Sequence, residues 1–215
     1  MTTLAQRAAL EQGWGGPALL DTYDAERRPV FASTARDFIS RAIEEDRAFL
    51  ARYDPAQDRD AFERAWKARQ SGAAAEVDAF EPNYEGSPIC GAEGGRAPSA
   101  LGSHQHRARA GHHLAPQRLG DGRDVFEALG RGFTLLAFDA AAAPVSGFER
   151  EAAALGAPLE VVRAERAGEV ARYEAGLVLV RPDQFVAWAG DDGAADPEAS
   201  CGPASAGLDR SLGSA

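Results

Sequence analysis

The chain has 215 residues, 45% of them hydrophobic and 26% charged, with a formal net charge of -10. That balance suits one or two small domains folding in water, and no window approaches the roughly 18 to 20 uninterrupted apolar residues of a membrane span. The acids concentrate in residues 71–215, 21 against 12 bases, and the arginines are scattered, so neither nucleic acid nor an anionic membrane surface is expected as a partner.

The start, MTTLAQRAALEQGW, lacks the charged-then-apolar layout of a secretory signal, and a cytoplasmic setting is expected. From Pro17 to about Arg69 the text is helical. Proline at a first helical position costs nothing, because its missing N–H would have no partner there. Pro29 is a different matter. Its ring opposes the preceding turn, which predicts a break or kink near Arg28 and a second helix starting there. In that second helix Phe31, Ala35, Phe38, Ile39, Ala42, Ile43, Phe49 and Leu50 recur at spacings of three and four, so one face is expected to be buried. Asp58 is a suitable cap for a further helix carrying Phe62, Ala65 and Trp66.

From Ser71 to about Pro116 the composition shifts to Gly, Pro, Ser and Ala, which reads as an irregular linker that either packs on another surface or moves. Beyond it the elements alternate: a short helix at Arg123 to Leu129, a strand at Phe133 to Phe138, a helix at Phe148 to Leu155 and a strand at Leu159 to Val162. Strands at Leu177 to Val180 and Phe185 to Trp188 then flank the turn Arg181-Pro182-Asp183-Gln184 and form an antiparallel hairpin. This order resembles a thioredoxin-like fold. The predicted class is therefore α+β, with a helical segment over 1–70, a linker over 71–116, a small thioredoxin-like α/β domain over 117–190 and a disordered tail over 191–215. The tail is small and polar throughout, with too little apolar area to offset its conformational entropy.

Several chemistries fail at the residues they require. Thioredoxin-like redox work needs a low-pKa cysteine where the helix follows the strand, and this chain has Asp139-Ala-Ala-Ala-Ala-Pro144 there. Cys90 and Cys201 lie far apart and read as free thiols. His104, His106, His112 and His113 are the one metal-like cluster. They have no cysteine or carboxylate at ligand spacing, so solvated loop histidines are expected and no metal is assigned. Gly91-Ala-Glu-Gly-Gly95 lacks the flanking strand and helix of a phosphate cradle, and no GxSxG elbow occurs. Glu26, Arg27 and Arg28, at a helix junction, leave two readings open: a solvated helix end, or a bridge to another segment through charge-assisted hydrogen bonds.

The run GWGGPALLDTYDAERRPV, Gly13 to Val30, resembles the segment that closes the FAD-binding part of flavin-dependent aromatic hydroxylases. The stretches RAGHHLAP, LGDGRDVFEALGRGFTLLAF and ARYEAGLVLVRPDQFVAWAG resemble that group's C-terminal thioredoxin-like domain, in the same order. The resemblance implies descent from FAD- and NAD(P)H-dependent monooxygenases that hydroxylate phenolic or polyketide aromatics, in which the flavin carries the chemistry. It also implies that the GxGxxG and GD flavin-binding motifs would lie upstream of Met1. No catalytic, cofactor-binding or metal residue is therefore assigned, neither FAD nor NAD(P)H is expected to bind this chain alone, and Glu26, Arg27, Arg28 and Pro29 read as structural.

Two functions follow as expectations. One is a C-terminal fragment or split subunit of such a monooxygenase, inactive alone and docking with an FAD-binding N-terminal partner, so that the aromatic substrate belongs to the complete enzyme. The other is a non-catalytic thioredoxin-like module that forms a homodimer.

Overall fold

A computed structural model of the chain describes residues 12–15, 18–70, 78–90 and 96–192. The expected tail, Cys201 and the Gly91–Gly95 stretch lie outside them, apart from Asp191 and Asp192.

The N-terminal helix α1 spans Ala18–Ser33 with Pro29 inside it, passes through a π-helical stretch at Thr34–Ser40, and continues as α2, Arg41–Arg52. The expected break at Arg28 does not occur. Proline removes one backbone bond, whereas the helix is pinned on both sides of it: Glu26 is bound to Arg181, and the Ser33 hydroxyl accepts the Ala100 N–H at 3.1 Å. The irregularity falls instead at the π-helical stretch, a common way for a helix to absorb a register change. Helix α3, Arg59–Gln70, is opened by Asp58, whose carboxylate accepts the Ala61 N–H at 2.9 Å. It packs back on α2 through Phe49, Phe62 and Trp66.

The segment read as an irregular linker contains two short strands. β1, Phe80–Asn83, and β2, Ser99–Leu101, pair antiparallel. Sequence reading missed them because each is too short to show alternation, and because the core they help to build is remote in sequence. Val30 of α1, Tyr84, Cys90 and Ala100 form that core, with Phe38, Ala110 and Phe185 against it.

The main sheet has β3, Phe133–Phe138, at its heart, in the order β4-β3-β5-β6. β4, Leu159–Ala164, runs parallel to β3, joined by helix α4, Ala142–Ala154. β5, Leu177–Val180, and β6, Val186–Gly190, are antiparallel additions. This is the α+β, thioredoxin-like arrangement. Leu135, Ala137, Leu177, Leu179 and Ala187 face α4, which contributes Val145 and Phe148. Leu136, Phe138, Val178, Val180 and Val186 face the other side, covered by Leu114, Leu119, Val125, Val170 and Tyr173. Burial on both faces explains why FTLLAF and LVLV read as continuous apolar runs rather than alternating ones. α4 begins six residues before the expected Phe148, because Pro144 falls in its first turn, where its missing N–H is harmless. The helix expected at Arg123 to Leu129 is a single 3-10 turn, Val125–Ala128. Residues 111–114 extend the sheet beyond β6, through Gly111 N to Val186 O, Val186 N to His112 O and Leu114 N to Gln184 O, at 2.8 to 2.9 Å.

Candidate functional site

The most heavily charged buried spot joins the first helix to the last hairpin. Glu26 on α1 is fully buried, and Arg181, 6% exposed, opens the turn between β5 and β6. Arg181 donates from Nη1 to Glu26 Oε1 at 2.6 Å and from Nη2 to Oε2 at 3.1 Å, a two-pronged pairing that matches guanidinium to carboxylate geometry. Its Nε and Nη2 also donate to the two oxygens of Asp183 at 3.0 and 2.9 Å. Ser87 adds an O–H to Glu26 Oε1 at 2.7 Å, and Cys90 Sγ lies 3.6 Å from Arg181 Nη1. The guanidinium lies beside the Tyr84 and Phe185 rings, 5.6 and 6.0 Å from their centroids, and those rings stack on each other at 4.3 Å.

Burial by itself would lower the Arg181 pKa. The hydrogen bond to Glu26 and the charges of Asp183 and Glu26 outweigh it, so its pKa is raised and the guanidinium stays charged. Burial pushes the Cys90 thiol up, against a smaller pull from Arg181, and the thiol is kept unreactive.

The ERRP residues thus divide. Glu26 bridges two parts of the chain. Arg28 is a solvated helix residue, 3.7 Å from Asp24 with both side chains largely exposed. Arg27 lies 5.8 Å from the Tyr23 ring centroid, and its Nε is buried without a hydrogen-bond partner. Arg181 and Asp183 escaped sequence reading because they look like ordinary turn residues. The available signal was an arginine directly after four apolar strand residues, LVLV, where the chain is still inside the core.

A second cluster surrounds Glu81 on β1. Its Oε2 accepts the backbone N–H of Ser103 and of His104, at 2.6 and 2.9 Å, and Arg109 Nη2 donates to its Oε1 at 3.0 Å. His112 lies between Glu81 Oε1, 3.1 Å from its Nδ1, and Glu85 Oε1, 2.8 Å from its Nε2. The expectation of solvated loop histidines fails here: His112 is 3% exposed. The carboxylates that hold it are 27 and 31 residues away, at no recognisable spacing. His104 is exposed and bonds Phe80 O, His106 bonds Gln117, and His113 lies against Phe126 and Phe185, so the four rings do not converge. Among the described residues no group of three or more His, Cys, Asp or Glu side chains is placed to hold a metal ion.

Burial would raise the Glu81 pKa, but the His104 and Ser103 amides and His112 prevail and hold it below the usual carboxylate range. A depressed folded-state pKa contributes stability that is present above the ordinary glutamate pKa and is lost as pH falls through the folded value. Glu81→Gln is expected to cost about 1–3 kcal/mol at neutral pH and to flatten the acid limb of stability, read from urea midpoints at several pH values.

The strand-to-helix turn between β3 and α4 is Asp139–Ala141. It holds an aspartate that accepts the Arg166 N–H and two alanines, with no glycine or cation for a dinucleotide phosphate. The buried guanidiniums of Arg181 and Arg109 are already engaged by carboxylates. Neither this turn nor these two guanidiniums therefore fits the pyrophosphate of FAD.

Residues 107–215, half of the chain, match the family model "Aromatic-ring hydroxylase, C-terminal". The chain belongs to this family. It is similar to the 4-methyl-5-nitrocatechol 5-monooxygenase of Burkholderia sp, at 34% identity over 92% of this chain and 37% of that protein. Among solved structures it is similar to the rebeccamycin biosynthetic enzyme RebC with reduced flavin, at a TM-score of 0.67 and 36% identity over 89% of this chain and 37% of that one. It is similar as well to aklavinone-11 hydroxylase in complex with FAD and aklavinone, at a TM-score of 0.57 and 26% identity over 89% of this chain and 35% of that one. This hydroxylase C-terminal chain spans a little over a third of the length of the relatives it matches. No helix among its described residues is long and apolar enough to cross a membrane.

Proposed function

We propose that this chain is the C-terminal part of an NAD(P)H- and FAD-dependent monooxygenase that hydroxylates phenolic or polyketide aromatics, and that it works only with an FAD-binding unit. The observation that carries this reading is the apolar stripe of the first helices. Sequence periodicity predicts a buried face, yet Phe31, Ile39, Ile43 and Leu50 are 67%, 55%, 46% and 59% exposed, and α2 and α3 contain no buried residue. Large apolar side chains concentrated along one helix mark a surface that another body covers. Relatives about two and a half times as long carry much more chain than this one.

When bound by the partner, FAD supplies the oxygen-activating chemistry. The contribution of this chain is structural: the Glu26–Arg181 pair fixes the docking helix on the thioredoxin-like sheet. Mixing the purified chain with an FAD-binding unit from this family should give a complex on gel filtration and aromatic-dependent NAD(P)H oxidation. Failure to form a complex would sink the docking idea. A colourless, stable dimer that ignores added FAD and the flavin unit would favour the non-catalytic module, a reading supported by the cysteine-free strand-to-helix turn of the thioredoxin-like domain.

A further inference from the structure

We propose that Arg27 is the polar anchor of the docking face of α1, and that its guanidinium takes a carboxylate side chain of the FAD-binding unit in a two-pronged pairing. This assignment rests on the docking of such a unit proposed above, and adds the residue and the chemistry by which the two bodies recognise each other.

Helix geometry sets Arg27 on the outer face of α1. Thr22, Glu26, Val30 and Ser33 follow at spacings of three and four, and all are buried against the rest of the chain. Leu20, Tyr23, Arg27 and Phe31 form a second stripe, about 100° round the helix. Leu20 and Phe31 are more than half exposed, and Arg27 is the one charged side chain of these four.

The neighbouring acids do not serve it. Glu26 is turned inward and held by Arg181 and Ser87, while Asp24 lies beside Arg28. Arg27 is left half-buried, with its guanidinium beside the Tyr23 ring and its Nε buried without a hydrogen-bond partner. Burying an N–H without an acceptor carries a cost that native structures seldom leave unmet.

The orphaned atom selects the acceptor. Nε and the Nη on its side present two parallel N–H groups that match the two oxygens of one carboxylate, whereas a single carbonyl oxygen meets only one of them well. The chain uses this same edge elsewhere, where Arg181 pairs Nε and Nη2 with the two oxygens of Asp183. A wholly apolar partner pressed over Leu20 and Phe31 would bury the Arg27 guanidinium without a counter-charge, which is strongly unfavourable. The face therefore selects an acidic residue set in an apolar surface.

The test titrates the full chain, by calorimetry, against an FAD-binding unit of this family isolated with its flavin bound. Arg27→Met keeps an apolar stem and removes every side-chain donor, and should bind about thirtyfold more weakly or worse. Arg27→Lys should recover only part of that loss, and Arg28→Met, on a solvated arginine, should bind within about twofold of the unaltered chain. Salt should weaken the unaltered complex more steeply than the Arg27→Met complex. The free chain supplies the readout that a merely structural role would move: its urea midpoint should be the same with Arg27→Met as without it.

Binding that Arg27→Met leaves intact overturns the anchor while the docking itself stands. Equal salt slopes mean a neutral acceptor, and overturn the carboxylate. A urea midpoint that falls in step with affinity makes Arg27 a structural residue and overturns the proposal as well. An unaltered chain that ignores the flavin unit overturns both readings, and one that dimerises until Arg27→Met makes it monomeric gives the face to a second copy.

Discussion

Arg181→Met is expected to lower the stability of the chain by about 3–5 kcal/mol, the cost of leaving a buried charge without its partner. Methionine fills much of the same space but donates nothing, so the fully buried Glu26 keeps only the Ser87 hydroxyl and Asp183 loses both of its bonds. A urea midpoint that drops with little change of slope reports this loss. The damage should also be local. Amides of α1 should lose exchange protection before those of β3 and β5, because Arg181 is the polar tie between the helix and the hairpin. Arg181→Lys should recover only part of the loss, since a single ammonium cannot present two N–H groups to each of two carboxylates. A change below about 1 kcal/mol for Arg181→Met would mean that the apolar contacts of Val30 and Tyr84 suffice to hold the helix.

Gly111→Ala carries the second large effect, about 2–4 kcal/mol. Gly111 has φ +82, and a Cβ there would stand 2.7 Å from the backbone C and O of Tyr84 and the N of Glu85. Those atoms belong to the main chain and cannot rotate aside. Gly122 provides the control. It has φ +85 but nothing within 4 Å of its would-be Cβ, so Gly122→Ala should show only the backbone strain of about 1–2 kcal/mol. The difference between the two variants, measured by urea unfolding, isolates the close approach between the 111–114 edge and the β1 segment. Equal costs would refute that close approach.

The strands of the main sheet were legible because each is a short apolar run bounded by turn residues, and those at Phe133 to Phe138 and Leu177 to Val180 have the same limits in the structure. The pairing directions follow from the connections, although the order of the strands in the sheet was not anticipated. One helix between β3 and β4 implies a parallel pair, and a four-residue turn between β5 and β6 implies an antiparallel one. The 3-10 turn at Gly168–Tyr173 was not anticipated, although it buries Val170 and Tyr173, because so short an element has no periodicity to read. The helical stripe was legible as a pattern but misleading as to burial. Periodicity reports that a face is apolar, and it cannot say whether the body that covers it belongs to this chain.

The candidate site was hardly legible at all. Of the buried pair, Glu26 stood within a recognisable motif, while Arg181 lies 155 residues later in an unremarkable turn. Nothing local distinguishes an arginine that will be buried against a glutamate from one that will point into water. His112 shows the same limit. A histidine in a Gly- and Ala-rich stretch is solvated by default, and it becomes a buried ring between two glutamates only because Gly111 brings the β1 segment within reach.

By itself the sequence determined the α+β class and the apolar strands of the sheet, because these rest on short-range periodicity and turn chemistry, and its motifs from Gly13 to Val30 and beyond pointed to the family by resemblance. Only the tertiary structure decided that the helix runs through Pro29, that Glu26 is locked to Arg181, and that His112 is buried. Each of these depends on an energy shared between residues far apart in the chain, where a proline's lost hydrogen bond or a charge's desolvation is offset by a partner that local sequence does not reveal.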